Sequence, residues 1–120
     1  MNSFFMSFKY AFNGVKICLN QRNFKIQIFC AILAIIGGFL FHINLTEWCI
    51  ILVCIGVVLS FEMLNTAIEK LVDLVEPNYN AKAGAIKDIA AGAVFLFSII
   101  SAIIGVMIFG KYSLDLLFTY

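Results

Sequence analysis

The sequence predicts an all-α membrane protein, three transmembrane helices preceded by an amphipathic surface helix, and three observations lead there. Apolar residues make up 63% of the 120-residue chain and charged residues 12%, with a mean hydropathy of +1.05, beyond what an ordinary soluble domain of this length carries. Residues 26–46 and 89–110 contain no Asp, Glu, Lys or Arg, and each is long enough to cross a hydrocarbon core that needs about 20 helical residues. Trp48 to Phe61 adds fourteen more uncharged residues, a span if its continuation from Glu62 is sheltered by protein or reaches the headgroups. The chain reads as one domain over 1–120, without repeats or low-complexity tracts.

The first element is a helix over 3–24. Phe4, Phe8, Phe12, Val15 and Leu19 recur every three to four residues, while Lys9, Asn13, Lys16 and Asn20 mark the opposite face. Its aromatic side is expected in the acyl boundary, with its lysines at anionic headgroups. No cleavable leader is expected, because the first long apolar run begins only near residue 26 and lacks a small-residue cleavage site. The first span covers about 26–45, and its Gly37-Gly38 pair offers a place where another helix comes close. Asn44 and Thr46 are candidate caps for the next helix, and Trp48 stands where an aromatic belt belongs.

The second span, about 47–69, lies within a helix from Thr46 to Glu76, stopped by Pro77 and Asn78. At 1.5 Å per residue such a helix is about 46 Å long, against ~30 Å of hydrocarbon, so its last turns project into water. A loop is expected over 78–86. The third span covers about 86–109, with small residues at Gly92, Ser98, Ser101, Ala102 and Gly105 where helices can approach. Lys9, Lys16, Arg22, Lys25, Lys70, Lys82 and Lys87 precede the first span or separate the second from the third, and only Lys111 lies elsewhere. The positive-inside rule places the N-terminus and the 70–88 segment in the cytoplasm, with the C-terminus outside. The net charge of +1 marks no nucleic-acid partner. Cys18, Cys30, Cys49 and Cys54 show no metal-ligand spacing, His42 is alone, and the thiols read as buried small apolar side chains.

The informative stretch is 61–78, "FEMLNTAIEKLVDLVEPN". Glu62, Thr66, Glu69 and Asp73 share one side of the helix, with Asn65 beside them. Lys87 and Asp88 open the last helix at the same depth, across the loop. Ionisable groups at membrane depth read as functional, set among protein or water. A carboxylate at the boundary can act as general base toward a lipid hydroxyl. A second one, two turns on, can hold Mg²⁺ together with phosphate oxygens, and a lysine can neutralise phosphate charge, the division of labour that phosphoryl transfer needs. The competing reading is non-enzymatic: an ionic seam in which Lys70, Lys82 and Lys87 offset the acids of a membrane oligomer, or a proton path.

The pattern E-x-x-N-[ST]-A-I-E-x-x-V-D over 62–73, the Lys87-Asp88 pair, and the earlier stretches "FKYAFNG", "RNF" and "EW" resemble the small bacterial membrane lipid kinases, the diacylglycerol kinase and undecaprenol kinase family. The resemblance spans nearly the whole chain. It implies an ATP- and Mg²⁺-dependent homotrimer in the bacterial cell membrane, with active sites shared between subunits. It implies Glu62 as catalytic base in contact with the lipid, Glu69 as ligand of metal and ATP, and Asn65 and Asp73 as supporting residues. It also implies Tyr10, Lys87 and Asp88 as nucleotide contacts and Ala91 as a substrate position. Where the family places a second metal-binding glutamate this chain has Gln21, a neutral ligand. Asn80 replaces a common histidine after the loop tyrosine, and an N-terminal arginine has no counterpart. "VDLVEP", "KDIAAGAV" and Ala91, where the diacylglycerol branch often has serine, look more like the undecaprenol branch. The expected product is therefore undecaprenyl phosphate, with phosphatidic acid from diacylglycerol as the alternative.

Overall fold

A computed structural model describes residues 2–119, which form four helices: α1 (Asn2–Leu19), α2 (Arg22–Leu40), α3 (Leu45–Val75) and α4 (Ala81–Phe118). Among the described residues there is no strand. The helices α2, α3 and α4 are each long and apolar enough to cross a membrane. They lie in a slab of 60 × 44 × 21 Å, with α3 packed along α4 and α2 laid on α3.

The surface helix is shorter than its periodicity predicts. It ends at Leu19 rather than at residue 24, because Asn20 and Gln21 bond back to Ile17 and Cys18, and Gln21 then turns extended at φ −85°, ψ 131°. Asn readily leaves helical geometry, and the polar run Asn20-Gln21-Arg22-Asn23 interrupts the apolar rhythm between Leu19 and Phe24 at this corner. Cys18 and Phe24 are buried on either side of that corner and hold it to the bundle. Phe4, Phe5, Phe8 and Phe12 stay uncovered, an aromatic face of the kind that enters a lipid boundary.

The turn from α2 to α3 is determined by sequence. The Ile43 N–H bonds Gly38 O at 3.2 Å and the His42 N–H bonds Phe39 O at 3.4 Å, a Schellman closure with His42 in the left-handed region at φ 54°. Asn44 then caps α3: its side chain accepts from Glu47 N at 2.9 Å while the Glu47 carboxylate accepts from Asn44 N at 3.1 Å. This reciprocal box satisfies two otherwise unpaired donors. Thr46, the other expected cap, lies inside the helix, since a residue one position past Leu45 cannot flank it. At the other end Glu76 takes φ −137°, ψ 88°, the non-helical geometry imposed on a residue before proline.

Helix α4 is longer than expected at both ends. It begins at Ala81 because the Asn80 side chain accepts from the N–H groups of Lys82 and Ala83, so the expected loop over 78–86 shrinks to residues 76–80. Gly84 is a single glycine, which lowers helix propensity by about 1 kcal/mol and does not break the turn. At its far end α4 continues past Phe109 to Phe118. That extension carries Lys111 and Tyr112 to Glu47, where the ammonium lies 3.0 Å from Oε2 and the phenol donates to Oε1. The buried Glu47 is thereby fully partnered beside a cluster of Ile43, Ile51 and Ile108.

The paired glycines serve close packing. A Cβ on Gly38 would fall 2.5 Å from the Trp48 ring, and one on Gly37 would fall 3.1 Å from Phe109. The thiol expectation holds for Cys18 and Cys54, which are buried, and fails for Cys30 and Cys49, which are exposed. In a membrane span the outward face is as apolar as the core, so a small hydrophobe gains nothing by turning inward. Gly38→Ala is expected to lower the thermal midpoint in detergent, consistent with an overpacking cost of about 1–3 kcal/mol; an unchanged midpoint would contradict this packing.

Candidate active site

The polar stripe emerges from the bundle as α3 runs toward its C-terminus. Glu62, Asn65 and Thr66 are buried at 5%, 6% and 4% exposure, Glu69 is intermediate, and Asp73 is exposed. Their spacing of three and four residues keeps them on one face. At the level of Glu62, α3 and α4 are locked by the edge-to-face rings of Phe61 and Phe97, 5.8 Å apart.

The contacts along the stripe are specific. Gln27 Nε2 of α2 lies 3.3 Å from Glu62 Oε2. Asn65 Nδ2 lies 3.3 Å from Glu69 Oε1, while Asn65 Oδ1 is buried without a partner among the described residues. The short turn after Pro77 returns α4 antiparallel to α3, so Lys87 forms an ion pair with Asp73. With Glu76, Tyr79, Asn80, Ala83 and Gly84, these two residues line a cleft of about 190 Å³ at the end of the bundle.

Below the buried end of the stripe lies a larger space. A cavity of about 310 Å³ opens between α2, α3 and α4, bounded by Gln27, Ile51, Cys54, Leu59, Ser101 and Phe109 among others. Its α3 wall follows Ile51, Cys54, Ile55, Val58 and Leu59, a helical face whose next member is Glu62. Glu62 does not itself line the cavity, but its hydrogen-bond partner Gln27 does.

The remaining expected site residues stand apart from this line within one chain. Tyr10 is exposed on α1, Asp88 is exposed beside Lys87, and Ala91 is exposed one turn further along α4. Gln21 is half-buried at the α1–α2 corner and its side chain does not cap α2. Among the described residues no group of three or more His, Cys, Asp or Glu side chains could cage a metal ion. Glu69 with the unpartnered Asn65 oxygen nevertheless supplies the hard oxygen ligands that Mg²⁺ takes alongside phosphates and water.

Sequence reasoning missed Gln27. The signal was present, since it is the one amide in the otherwise apolar run 26–41, and an amide in a membrane span requires a partner.

Comparison with known proteins fits this geometry. The family model for prokaryotic diacylglycerol kinase matches residues 9–109. The undecaprenol kinase of Bacillus subtilis (strain 168) is 44% identical over 110 residues, covering 91% of this chain and 89% of that protein. A diacylglycerol kinase of Synechocystis sp. is 38% identical over 102 residues, covering 83% of this chain and 58% of that protein. With three spanning helices, this carboxylate stripe and a match over residues 9–109, the chain belongs to the prokaryotic diacylglycerol kinase family.

Proposed function

We propose that this protein transfers the γ-phosphoryl group of ATP to the hydroxyl of a membrane lipid, with undecaprenol as the acceptor and undecaprenyl phosphate as the product. The observation that carries this reading is the placement of Glu62, buried at 5% exposure where the apolar cavity meets the polar stripe leading to Lys87. The lipid hydroxyl oxygen attacks the γ-phosphorus, the bond to the β,γ-bridging oxygen breaks, ADP leaves, and the hydroxyl proton passes to Glu62. A base that takes this proton must come within hydrogen-bond reach of the hydroxyl, and the continuity of the cavity wall with Glu62 supports that approach.

The other residues position charge. Glu69 and Asn65 Oδ1 would hold Mg²⁺, which when bound neutralises phosphate charge as it develops. Lys87, paired with Asp73, would offset phosphate charge, while Asp88 and Tyr10 would contact the nucleotide. Gln21 is the neutral candidate for a second metal contact, and Ala91 lies on the acceptor path. Among the described residues Tyr10 and Gln21 make no hydrogen bond to the stripe, and neighbouring copies in a homotrimer would supply them, as the family resemblance implies. The N-terminus and the 76–80 turn then face the cytoplasm.

Undecaprenol is favoured over diacylglycerol by the undecaprenol kinase match along nearly all of both chains and by Ala91, which offers no hydroxyl to a glycerol ester. The diacylglycerol kinase relative keeps that acceptor as the alternative.

Two experiments test the proposal. Glu62→Gln should leave a folded oligomer that retains ATP binding while transfer of labelled phosphate falls by roughly 10²–10⁴-fold, the range for loss of a general base; near-normal turnover would defeat the assignment. With undecaprenol and diacylglycerol competing in one reaction, undecaprenyl phosphate should dominate, and predominance of phosphatidic acid would reverse the choice of acceptor.

A further inference from the structure

We infer that Gln27 is a positioning residue for phosphoryl transfer: its side-chain amide holds the Glu62 carboxylate at the end of the apolar cavity, oriented toward the acceptor hydroxyl. The inference rests on the reading of Glu62 as the base. It concerns a residue on a different helix, which the motif of α3 does not include.

Three observations carry it. First, Gln27 is the only amide or hydroxyl residue between residues 26 and 41, and such a group inside a membrane helix persists where it finds a polar partner. Second, that partner is Glu62. Gln27 Nε2 donates to Oε2 at 3.3 Å across the α2–α3 contact, whereas Asn65, the nearest amide on α3 itself, gives its Nδ2 to Glu69. Among the described residues, no side chain of α4 makes a hydrogen bond to Glu62. Third, Gln27 also lines the cavity, and its Oε1 is buried with no partner among the described residues.

An amide suits this task because a base changes protonation state during turnover. While Glu62 is ionised, an N–H of Gln27 satisfies one carboxylate oxygen and leaves the other free for the acceptor. Once Glu62 holds the proton, rotation of the amide presents Oε1 as the acceptor for it, and no proton need enter or leave Gln27. A lysine could serve only the first state and an ionised glutamate only the second. Reacting groups must also sit within a narrow geometry, and a displacement of about 1 Å can cost 10²-fold in rate. A carboxylate anchored from the neighbouring helix is held more narrowly than one left to its own rotamers.

The test uses the full-length protein in bilayers or detergent, with undecaprenol and labelled ATP. Gln27→Met keeps length and apolar fit but removes the amide. It should lower kcat by about tenfold or more while KM for ATP stays within about twofold, the pattern of an interaction felt at the transition state rather than in nucleotide binding. Gln27→His, which again pairs a donor with an acceptor, should restore most of the loss. In a Glu62→Gln background, Gln27→Met should have no further effect, since residues acting as one unit are not additive. Gln27→Asn, whose amide is drawn back by one methylene, provides the same comparison should Gln27→Met alter the thermal midpoint or oligomeric state.

Wild-type kcat in folded Gln27→Met or Gln27→Asn, or losses that multiply with Glu62→Gln, would overturn the inference. These outcomes separate it from the reading on which it rests. An inactive Glu62→Gln with a normal Gln27→Met removes only the role of Gln27, whereas an active Glu62→Gln removes the base itself.

Discussion

A carboxylate inside a membrane helix has no bulk water to solvate it, and that constraint organises this bundle. Glu62 sits in the middle of α3 at 5% exposure, where an unpaired ionised group is costly. The sequence around it supplies what such a group requires. Gln27 reaches it from α2, Asn65 and Thr66 follow it on the same helix and are also buried, and the ion pair of exposed Asp73 with half-buried Lys87 ends the line. Packing of α2 against α3 is thereby tied to the chemistry: the contact that shelters the carboxylate also forms one wall of the cavity leading to it.

The opposite end of the bundle is secured by different means. There Glu47 closes the cap of α3 and at the same time accepts from Lys111 and Tyr112 of α4. Gly38 admits the Trp48 ring and Gly37 admits Phe109, so α2 lies close to both neighbours. With one end held by a fully partnered acid and by ring packing, the register of three helices is set before any substrate arrives. The groups at the other end can then remain partly unpaired, as Asn65 Oδ1 and Gln27 Oε1 are. Unsatisfied buried oxygens are costly in a passive structure, and under the proposed function they would be ready partners for metal, phosphate or alcohol.

Much of this was legible in the sequence because the signals are local. The spanning runs, the stop at Pro77 and the grouping of Glu62, Asn65, Glu69 and Asp73 all follow from composition or helical period. The helix expected over 3–24 ran past the corner at Asn20-Gln21, although the polar run from Asn20 to Asn23 breaks the apolar rhythm there and the extended backbone of Gln21 makes the turn. Capping by Asn80 was obscured by Gly84. On the extended α4, Lys111 and Tyr112 meet Glu47, 64 residues from Lys111, and no local pattern reports a partner that distant. Gln27 carried a local signal, a single amide in an apolar run, but its partner, 35 residues away, did not show there. The exposed Cys30 and Cys49 show that burial, a reliable guide in water, loses force where the surroundings are apolar on both sides.

As the proposed base, Glu62 would face the acceptor alcohol. Carbodiimide labelling tests it most directly, because an apolar carbodiimide reaches carboxyl groups within the membrane that water-soluble reagents do not. Peptide mapping of the labelled, full-length protein should find the adduct at Glu62, and undecaprenol added without ATP should protect that position while leaving other carboxylates unchanged. Labelling of Glu62 that the lipid does not alter would contradict the account, as would a carboxylate stripe labelled only at Glu69 or Asp73.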